Sequence, residues 1–196
     1  TGRNNLHIIN FEIALGAVDD LVHGSTVATN AILERKGARV VFLMTRGFKD
    51  LLLLQRHNRR EIYDLAYNKP RAVVERKNVF EIDERVDAEG EVVVPLKESV
   101  VSDMLRELFA TQEFDSVAIC FLNSYAYPSH ERRIAGIVSQ INPDIPVTCS
   151  CDVTREFRES ERASTTTLSA YVRPVIERYL SSFDTELSQR GFQGRF

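Results

Sequence analysis

The stretch from His23 to Asn30 carries residue types that are well suited to holding an anion. A short strand over residues 20–23 is predicted to turn at Gly24 and enter a helix, whose first N–H groups lack intrahelical partners. Those N–H groups and the helix dipole favour a phosphate or a developing oxyanion, and a histidine titrates near neutral pH. The phosphate- or substrate-binding candidates are His23, Gly24, Ser25, Thr26, Thr29 and Asn30. Because Ser and Thr commonly cap helices, a simple N-cap at Ser25 explains the same pattern.

A second candidate lies in the basic segment over residues 55–77, which has seven positive and three negative side chains. Arg56 and Arg59 could clamp a carboxylate or a phosphate with paired N–H groups. Arginines beside Tyr63 and Tyr67 could also bind single-stranded nucleic acid. A solvated loop remains the plainer interpretation, and a small-anion site comes before nucleic acid.

Two further stretches supply secondary candidates. The turn from Thr45 to Asp50 follows a strand and opens a helix, although Gly47 alone would explain such a turn. The other stretch, over residues 155–162, begins the last helix and is followed by a hydroxyl run over residues 165–167, which sacrifices helix propensity. Taken alone, the stretch is explained by a solvated helix start. The secondary candidates are Asp50, Glu161, Arg162 and Thr165.

Composition excludes several classes of protein. The chain has 196 residues and a net charge of -3, which argues against a surface built wholly for nucleic acid. No apolar run approaches the length needed to span a bilayer. The three cysteines, Cys120, Cys149 and Cys151, cannot form a disulfide framework, and C-x-C alone is weak evidence for zinc. We therefore expect packed thiols, no metal site and a reducing, cytoplasmic compartment.

Periodicity predicts an α/β protein with a sheet flanked by helices. Expected strands cover 39–44, 79–86, 91–96, 116–122 and 145–149, and expected helices run from about 26 to 37, 48 to 54, 97 to 110, 128 to 142 and 159 to 189. Residues 87–90 would close a hairpin, and strand–helix alternation implies parallel crossovers. Pro174 should kink or break the long C-terminal helix.

Standard catalytic and nucleotide-binding motifs are missing. The sequence lacks G-x-G-x-x-G, G-x-x-x-x-G-K-[ST], H-E-x-x-H and G-x-S-x-G. The four histidines show no ligand spacing, so the sequence assigns no general base or other catalytic residue.

Taken together, the motifs resemble the hydantoinase/oxoprolinase family, specifically the N-terminal domain of its A-type subunit. The order and spacing of these motifs agree with the pattern of the family from about residue 20 to residue 190. The matching residues are His23 to Ala31, Thr45 to Asp50, Arg56, Asn58–Arg59, Tyr63–Asp64, Glu84 to Val86, the turn 87–90, His130 to Arg133, Glu156, Arg158, Glu161–Arg162, Thr165–Thr166 and Ala170 to Pro174. Ser25, His57 and Ser169 stand where the family usually has Thr, Gln and Asn, which puts an amide contact at the last position in doubt.

This resemblance implies a partial actin-like ATPase (ribonuclease H-like) lobe with a mixed sheet. It also implies ATP-dependent opening of a cyclic amide such as a hydantoin or 5-oxoproline. ATP, bridged by Mg²⁺, would phosphorylate an amide or enolate oxygen and so create a good leaving group. A B-type subunit or fused B-type region would be the partner, a homo-oligomer is possible, and neither nucleic acid nor a membrane is expected. The alternatives are part of an acetone- or acetophenone-type carboxylase, or a non-catalytic interaction module.

One departure from the family is large. The acidic, glycine-rich phosphate loop of the type Asp-x-Gly-Gly-Thr occurs nowhere in the sequence. We therefore expect residues 1–196 to form a single domain, an interior fragment that lacks the first phosphate-binding hairpin. Such a fragment should be inactive alone and should not bind ATP or Mg²⁺ tightly.

Overall fold

The computed structural model describes residues 19–54, 63, 66 and 70–195. Its helices and strands bear out the predicted α/β class, the flanking helices and the long C-terminal helix. In chain order they are α1 (Val27–Leu33), β1 (Val40–Thr45), α2 (Leu51–Leu54), a 3₁₀ turn (Arg76–Asn78), β2 (Val79–Ile82), β3 (Arg85–Val86), β4 (Val92–Val94), α3 (Glu98–Thr111), β5 (Ser116–Cys120), α4 (Ser129–Ile141), β6 (Val147–Cys149), α5 (Ser150–Val153) and α6 (Glu159–Gln189).

Four strands form one parallel sheet in the order β2-β1-β5-β6. The register places Leu43 opposite Phe80 on one side and Ile119 on the other. Strands β1 and β5 are buried along their whole length, which explains why both read as nearly continuous apolar runs. Parallel neighbours need a crossover, and α4 supplies it between β5 and β6.

Helices cover both faces of this sheet. On one face, Leu105 of α3 and Ile134 of α4 join a core with Val41 and Leu43. On the other face, Ala163, Ala170 and Tyr171 of α6 pack with the alternate residues of β1 and β5. The first half of α6 is therefore held against the sheet by burial of apolar surface.

The predicted strand over residues 79–86 divides into β2 and β3, because the chain turns where the Glu84 N–H donates to the Ile82 carbonyl at 3.0 Å. Strand β3 then pairs antiparallel with β4, so the predicted hairpin is confirmed. Its turn is fixed by the Asp87 carboxylate, which accepts the N–H groups of Glu89 and Glu91 at 3.1 and 2.8 Å. Antiparallel pairing thus occurs in a ribbon separate from the parallel sheet.

One local prediction was wrong, and one of two alternatives for Pro174 is excluded. Residues 20–23 do not form a strand; Asp20 makes a single parallel bridge with Arg195. Pro174 does not break α6, which continues to Gln189. A proline removes one main-chain hydrogen bond, and the preceding turns are buried at Ala170 and Tyr171, so packing holds the helix there.

The chain separates into two compact units. One is Val27–Ile176, and the other combines the described residues up to Thr26 with those from Glu177 onward. Among the described residues, no helix is both long and apolar enough to cross a membrane.

Candidate functional site

A groove beside helix α6 has a volume of about 480 Å³ and lies within the Val27–Ile176 unit. It is called the α6 groove below. Its lining combines one polar helix face with an apolar wall. The lining residues are Leu52, Pro70, Arg71, Ala72, Val73, Ser160, Glu161, Ser164, Thr165, Thr167 and Leu168.

The polar face of the groove includes Glu161 and Thr165, two of the secondary candidates from the sequence. The Thr165 hydroxyl donates to the Glu161 carbonyl at 2.9 Å, and the Ser164 hydroxyl donates to the Ser160 carbonyl at 2.8 Å. Both hydroxyls are exposed. Each hydroxyl donates a hydrogen bond to a main-chain carbonyl of its own helix. The lone pairs of its oxygen can still accept a hydrogen bond from another molecule.

The opposite wall carries one cation and several apolar side chains. The guanidinium of Arg35 donates to the Arg71 carbonyl at 2.9 Å and to the Ala72 carbonyl at 3.4 Å, which fixes the main chain there. Among the described residues that line the groove, Arg71 is the only cationic one, and its side chain is exposed. Leu52, Val73 and Leu168 give the groove its apolar surface.

A separate cluster of buried polar groups occupies the carboxyl ends of the parallel strands. Its centre is Glu131, whose side chain is fully buried and accepts four hydrogen bonds. The N–H of Phe121, the hydroxyls of Ser124 and Ser150, and the N–H of Cys151 donate at 2.8, 2.6, 2.6 and 3.0 Å. This carboxylate joins β5, α4 and the segment after β6.

A buried acid–histidine pair extends the cluster. The Glu84 carboxylate lies 2.7 Å from Nδ1 of His130 and accepts a short hydrogen bond from the Thr45 hydroxyl. Thr45 in turn accepts the Leu122 N–H at 3.1 Å. All the carboxylate and hydroxyl groups named here have partners within the protein, so the cluster is suited to holding the strand ends together. It is called the strand-end cluster below.

The Arg162 side chain is fully buried, away from the α6 groove. Its guanidinium donates a short hydrogen bond to the Phe121 carbonyl and lies over the Tyr125 ring, 5.5 Å from the ring centroid. Its Nε and Nη1 have no hydrogen-bond partner among the described residues. The contact with Phe121 ties α6 to the end of β5, next to the strand-end cluster.

The first candidate segment lies on the surface. Helix α1 begins at Val27, directly after Thr26, and spans only seven residues. All six candidate residues are exposed. Nε2 of His23 lies 2.5 Å from the Tyr179 hydroxyl, and its ring stacks on Phe183 at a centroid distance of 4.8 Å, within the smaller unit. His23 therefore already has ring partners.

Asp50 is held in an ion pair. Its carboxylate accepts from Nε and Nη2 of Arg76 at 2.5 and 3.1 Å. These hydrogen bonds, with the charges of Arg76 and Lys49, hold the pKa of Asp50 below its ordinary value. The candidates Arg56 and Arg59 lie outside the described residues.

All three cysteines are buried and reduced. Burial raises the pKa of Cys120 to about 11, and the hydrogen bond between Cys151 and Cys149 together with burial raises the pKa of Cys151. The predicted packed thiols are thus confirmed. The described part of the chain contains no cluster of three or more His, Cys, Asp or Glu side chains that could hold a metal ion.

Comparison with known proteins identifies the family. The profile of the hydantoinase/oxoprolinase N-terminal region matches residues 5–142. The chain belongs to the hydantoinase/oxoprolinase family. The match confirms the resemblance inferred from the sequence motifs.

Relatives within the hydantoinase/oxoprolinase family differ in their activities. The chain is 36% identical to 5-oxoprolinase of Saccharomyces cerevisiae, over 87% of this chain and 15% of that protein. It is 30% identical to the acetophenone carboxylase gamma subunit of Aromatoleum aromaticum, over 96% of this chain and 27% of that subunit. The crystal structure of an ATP-dependent caprolactamase from Pseudomonas jessenii superimposes with a TM-score of 0.82 at 32% identity, covering 92% of this chain and 26% of that one. The chain spans only 15% to 28% of the first curated relatives it matches.

Sequence reasoning placed Glu84, His130 and Glu131 in the hydantoinase/oxoprolinase motifs but did not single them out as a cluster. A signal was present in α4. His130 and Glu131 lie three to eight residues before Ile134, Ile137 and Val138, so they share the buried helix face. Charged residues on such a face need buried partners, and that requirement would have pointed to the cluster.

Proposed function

We propose that this chain is part of an ATP-dependent enzyme that opens a cyclic amide. The observation that supports this most strongly is the superposition of nearly the whole chain on an ATP-dependent caprolactamase. Similarity to a 5-oxoprolinase points to the same bond type, an amide within a ring. The α6 groove gives the chain a small-molecule cavity of suitable size.

ATP and Mg²⁺ would be bound by the full-length enzyme. The described residues include no carboxylate cluster that fits Mg²⁺, so no step through either group is assigned to them. We further propose a cytoplasmic enzyme that works with a B-type subunit or fused B-type region and includes residues 1–196 as one domain of the A-type part. On this proposal the chain alone is inactive, and a calorimetric titration of it with Mg·ATP gives no saturable binding.

The test is an assay of the full-length gene product, with its B-type partner, for ADP release and ring-opened product. The substrates are 5-oxoproline, hydantoin and caprolactam, each with Mg·ATP. Amide-dependent ADP release with stoichiometric ring opening is expected. ADP release that requires acetone or acetophenone with bicarbonate, and that no cyclic amide supports, would contradict the hydrolase and indicate a carboxylase. The similarity to an acetophenone carboxylase subunit is the observation that favours this alternative.

His23 provides a test at residue level. Replacing it by alanine in the full-length enzyme should lower turnover at least tenfold, on the order expected for a group that contacts the reacting part of a ligand. Circular dichroism and the thermal midpoint should stay unchanged, because His23 is exposed. Glu107→Ala, at an exposed position of α3, is the control. Unchanged turnover would remove His23 from the site and leave its stacking with Phe183 as its role.

A further inference from the structure

We propose that a second groove of the Val27–Ile176 unit binds a small polyanion, a molecule with at least two anionic groups and a hydroxyl. This ligand is separate from the cyclic amide, so the inference does not rest on the proposed function. The groove has a volume of about 790 Å³, within the range of small-molecule pockets. It is called the arginine groove below, because its described lining includes Arg35, Arg39, Arg71 and Arg76.

The arginine groove keeps positive charge that the protein does not neutralise. Of its four arginines, only Arg76 takes part in a salt bridge among the described residues, with Asp50. Arg35 donates to two main-chain carbonyls, and Arg39 donates to the Gln112 side chain at 3.2 Å. Because these acceptors are uncharged, they leave the charge of each guanidinium in place. A guanidinium has only donors, so a ligand here must present acceptors, and anionic oxygens form the strongest such bonds.

One acid, Glu75, belongs to the described lining of the arginine groove. Its carboxylate lies 2.7 Å from Nζ of Lys77, which is not a lining residue. The hydrogen bond and charge of Lys77 hold the pKa of Glu75 below its ordinary value, and the charges of Arg71 and Arg39 add to this effect. Both arginines therefore create a positive potential on this side of the groove, which favours entry of an anion.

A buried carboxamide adds a second requirement. Asn78 lines the arginine groove, is only 6% exposed, and has no hydrogen-bond partner for Oδ1 among the described residues. Buried polar atoms in native proteins are nearly always hydrogen-bonded, so an unpaired acceptor in a groove indicates a donor that a ligand supplies. Anionic oxygens cannot donate, whereas a hydroxyl can. The lining thus suits a molecule that combines anionic groups with a hydroxyl.

The main chain between Arg35 and Arg39 is fixed before any ligand binds. The Ala38 N–H donates to the Tyr171 carbonyl at 2.8 Å. A Cβ at Gly37 would lie 2.1 Å from the Tyr171 ring, so the chain passes directly against α6. Binding to a site whose parts are already held in place loses less conformational entropy, which favours a small ligand with few contacts.

The sequence points independently to the same ligand class. Arg71 and Arg76 belong to the basic segment over residues 55–77, for which a small-anion site is favoured over nucleic acid. The candidates Arg56 and Arg59 lie outside the described residues, so the inference is carried by the described arginines and Asn78.

The test is calorimetric titration of the full-length gene product without ATP, Mg²⁺ or a cyclic amide. Citrate is the first probe, because it has three carboxylates and one hydroxyl. Tricarballylate has the same carboxylates without the hydroxyl, and 3-phosphoglycerate carries a phosphate, a carboxylate and a hydroxyl. Arg71→Gln and Arg39→Gln each remove one guanidinium. Arg106→Gln, at an exposed position of α3, is the matched control because it changes the net charge equally.

Arg71→Gln and Arg39→Gln should each weaken citrate binding about tenfold, as expected for loss of one charge-assisted hydrogen bond. Arg106→Gln should leave it unchanged. Tricarballylate should bind the wild type about tenfold more weakly than citrate, and Asn78→Ala should abolish this difference. If Asn78→Ala fails to fold, the two acids compared on the wild type still test the hydroxyl, and equal affinities would overturn the role of Asn78.

The remaining outcomes are distinct. Binding of 3-phosphoglycerate more tightly than citrate, with the same dependence on both arginine variants, would support the site and identify phosphate as the preferred anionic group. Weaker binding with that dependence would identify carboxylate. Affinities for both probes that are absent in the wild type, or unchanged in the arginine variants, would overturn the inference. Arginine-dependent binding of a single-stranded oligonucleotide, without binding of a small anion, would replace the small ligand with nucleic acid.

The titration and the turnover assay fail separately. Ring opening of a cyclic amide without anion binding would keep the proposed function and remove the arginine groove as a site. Anion binding that depends on Arg71 and Arg39, without ring opening, would keep the site and remove the proposed reaction.

Discussion

Polar side chains gather at two places in the Val27–Ile176 unit, and the two places use their hydrogen-bonding groups differently. In the strand-end cluster, Glu131 is fully buried and receives donors from four protein groups. In the α6 groove, Ser164 and Thr165 are exposed and present oxygens that accept. A polar group whose partners all lie inside the protein serves the fold, whereas an exposed hydroxyl in a groove keeps lone pairs that another molecule could use.

The largest expected effect is at the centre of the strand-end cluster. Glu131→Ala would leave four buried donors without an acceptor, and should reduce the free energy of unfolding by about 3–5 kcal/mol. Urea denaturation followed by circular dichroism measures the change. Glu107→Ala, an exposed glutamate of α3, is the control and should change stability by less than about 0.5 kcal/mol.

A milder substitution keeps this prediction testable if Glu131→Ala fails to fold. Glu131→Gln preserves the shape of the side chain but replaces one acceptor oxygen with an NH₂ group, which cannot accept. Depending on its orientation, the new side chain loses either the hydrogen bond from the Cys151 N–H or those from Phe121, Ser124 and Ser150. It should still cost about 1–3 kcal/mol. A cost equal to that of the surface control would show that the buried network does not stabilise the fold.

A matched pair of serines tests the comparison more directly. Ser124 is buried and donates to Glu131, while Ser164 is exposed and donates within its own helix. Ser124→Ala should lower the free energy of unfolding by about 1–2 kcal/mol, and Ser164→Ala by less than about 0.5 kcal/mol. Equal costs, measured by urea denaturation of both variants in parallel, would erase the distinction between the two regions.

The smallest expected effect concerns Asp50 at the surface. Its pKa is lowered in the folded state by the hydrogen bonds from Arg76, so its contribution to stability exists above the unfolded pKa of about 4 and is lost as pH falls through the folded value. Asp50→Asn should therefore shift the urea midpoint slightly downward at pH 7 and have a smaller effect near pH 3. Asp144→Asn, at an exposed position outside this pair, is the control. An effect that grows on acidification would contradict the ion pair.

Helix α6 shows how much of the fold local pattern determines. Apolar residues recur at three- and four-residue steps from residue 159 to 189, and the helix has those bounds. The strand predicted over residues 20–23 is absent. A strand exists only when a partner strand pairs with it, and Asp20 makes just one isolated bridge. Strand existence depends on distant residues, which a four-residue pattern does not encode.

The candidate sites also combine residues that local sequence reveals with contacts that depend on distant residues. Glu161 and Thr165 are candidates from a charged stretch and a hydroxyl run that stand out locally, and their role as site residues stays a prediction. The groove that they line became visible only with the placement of residues 70–73. The pairing of Glu84 with His130 joins positions 46 residues apart, and no spacing rule predicts it. The sequence also could not show that Arg162 turns away from its neighbour Glu161.

The carboxylate of Glu131 has a consequence for the order of folding. Its four donors lie only 7 to 20 residues away along the chain, whereas the hydrogen bond from Leu122 to Thr45 spans 77 residues. Closing a short loop costs less chain entropy than closing a long one. The segment from β5 to α5 can therefore assemble around this carboxylate early, and β1 and β2 can add to an edge that is already in place.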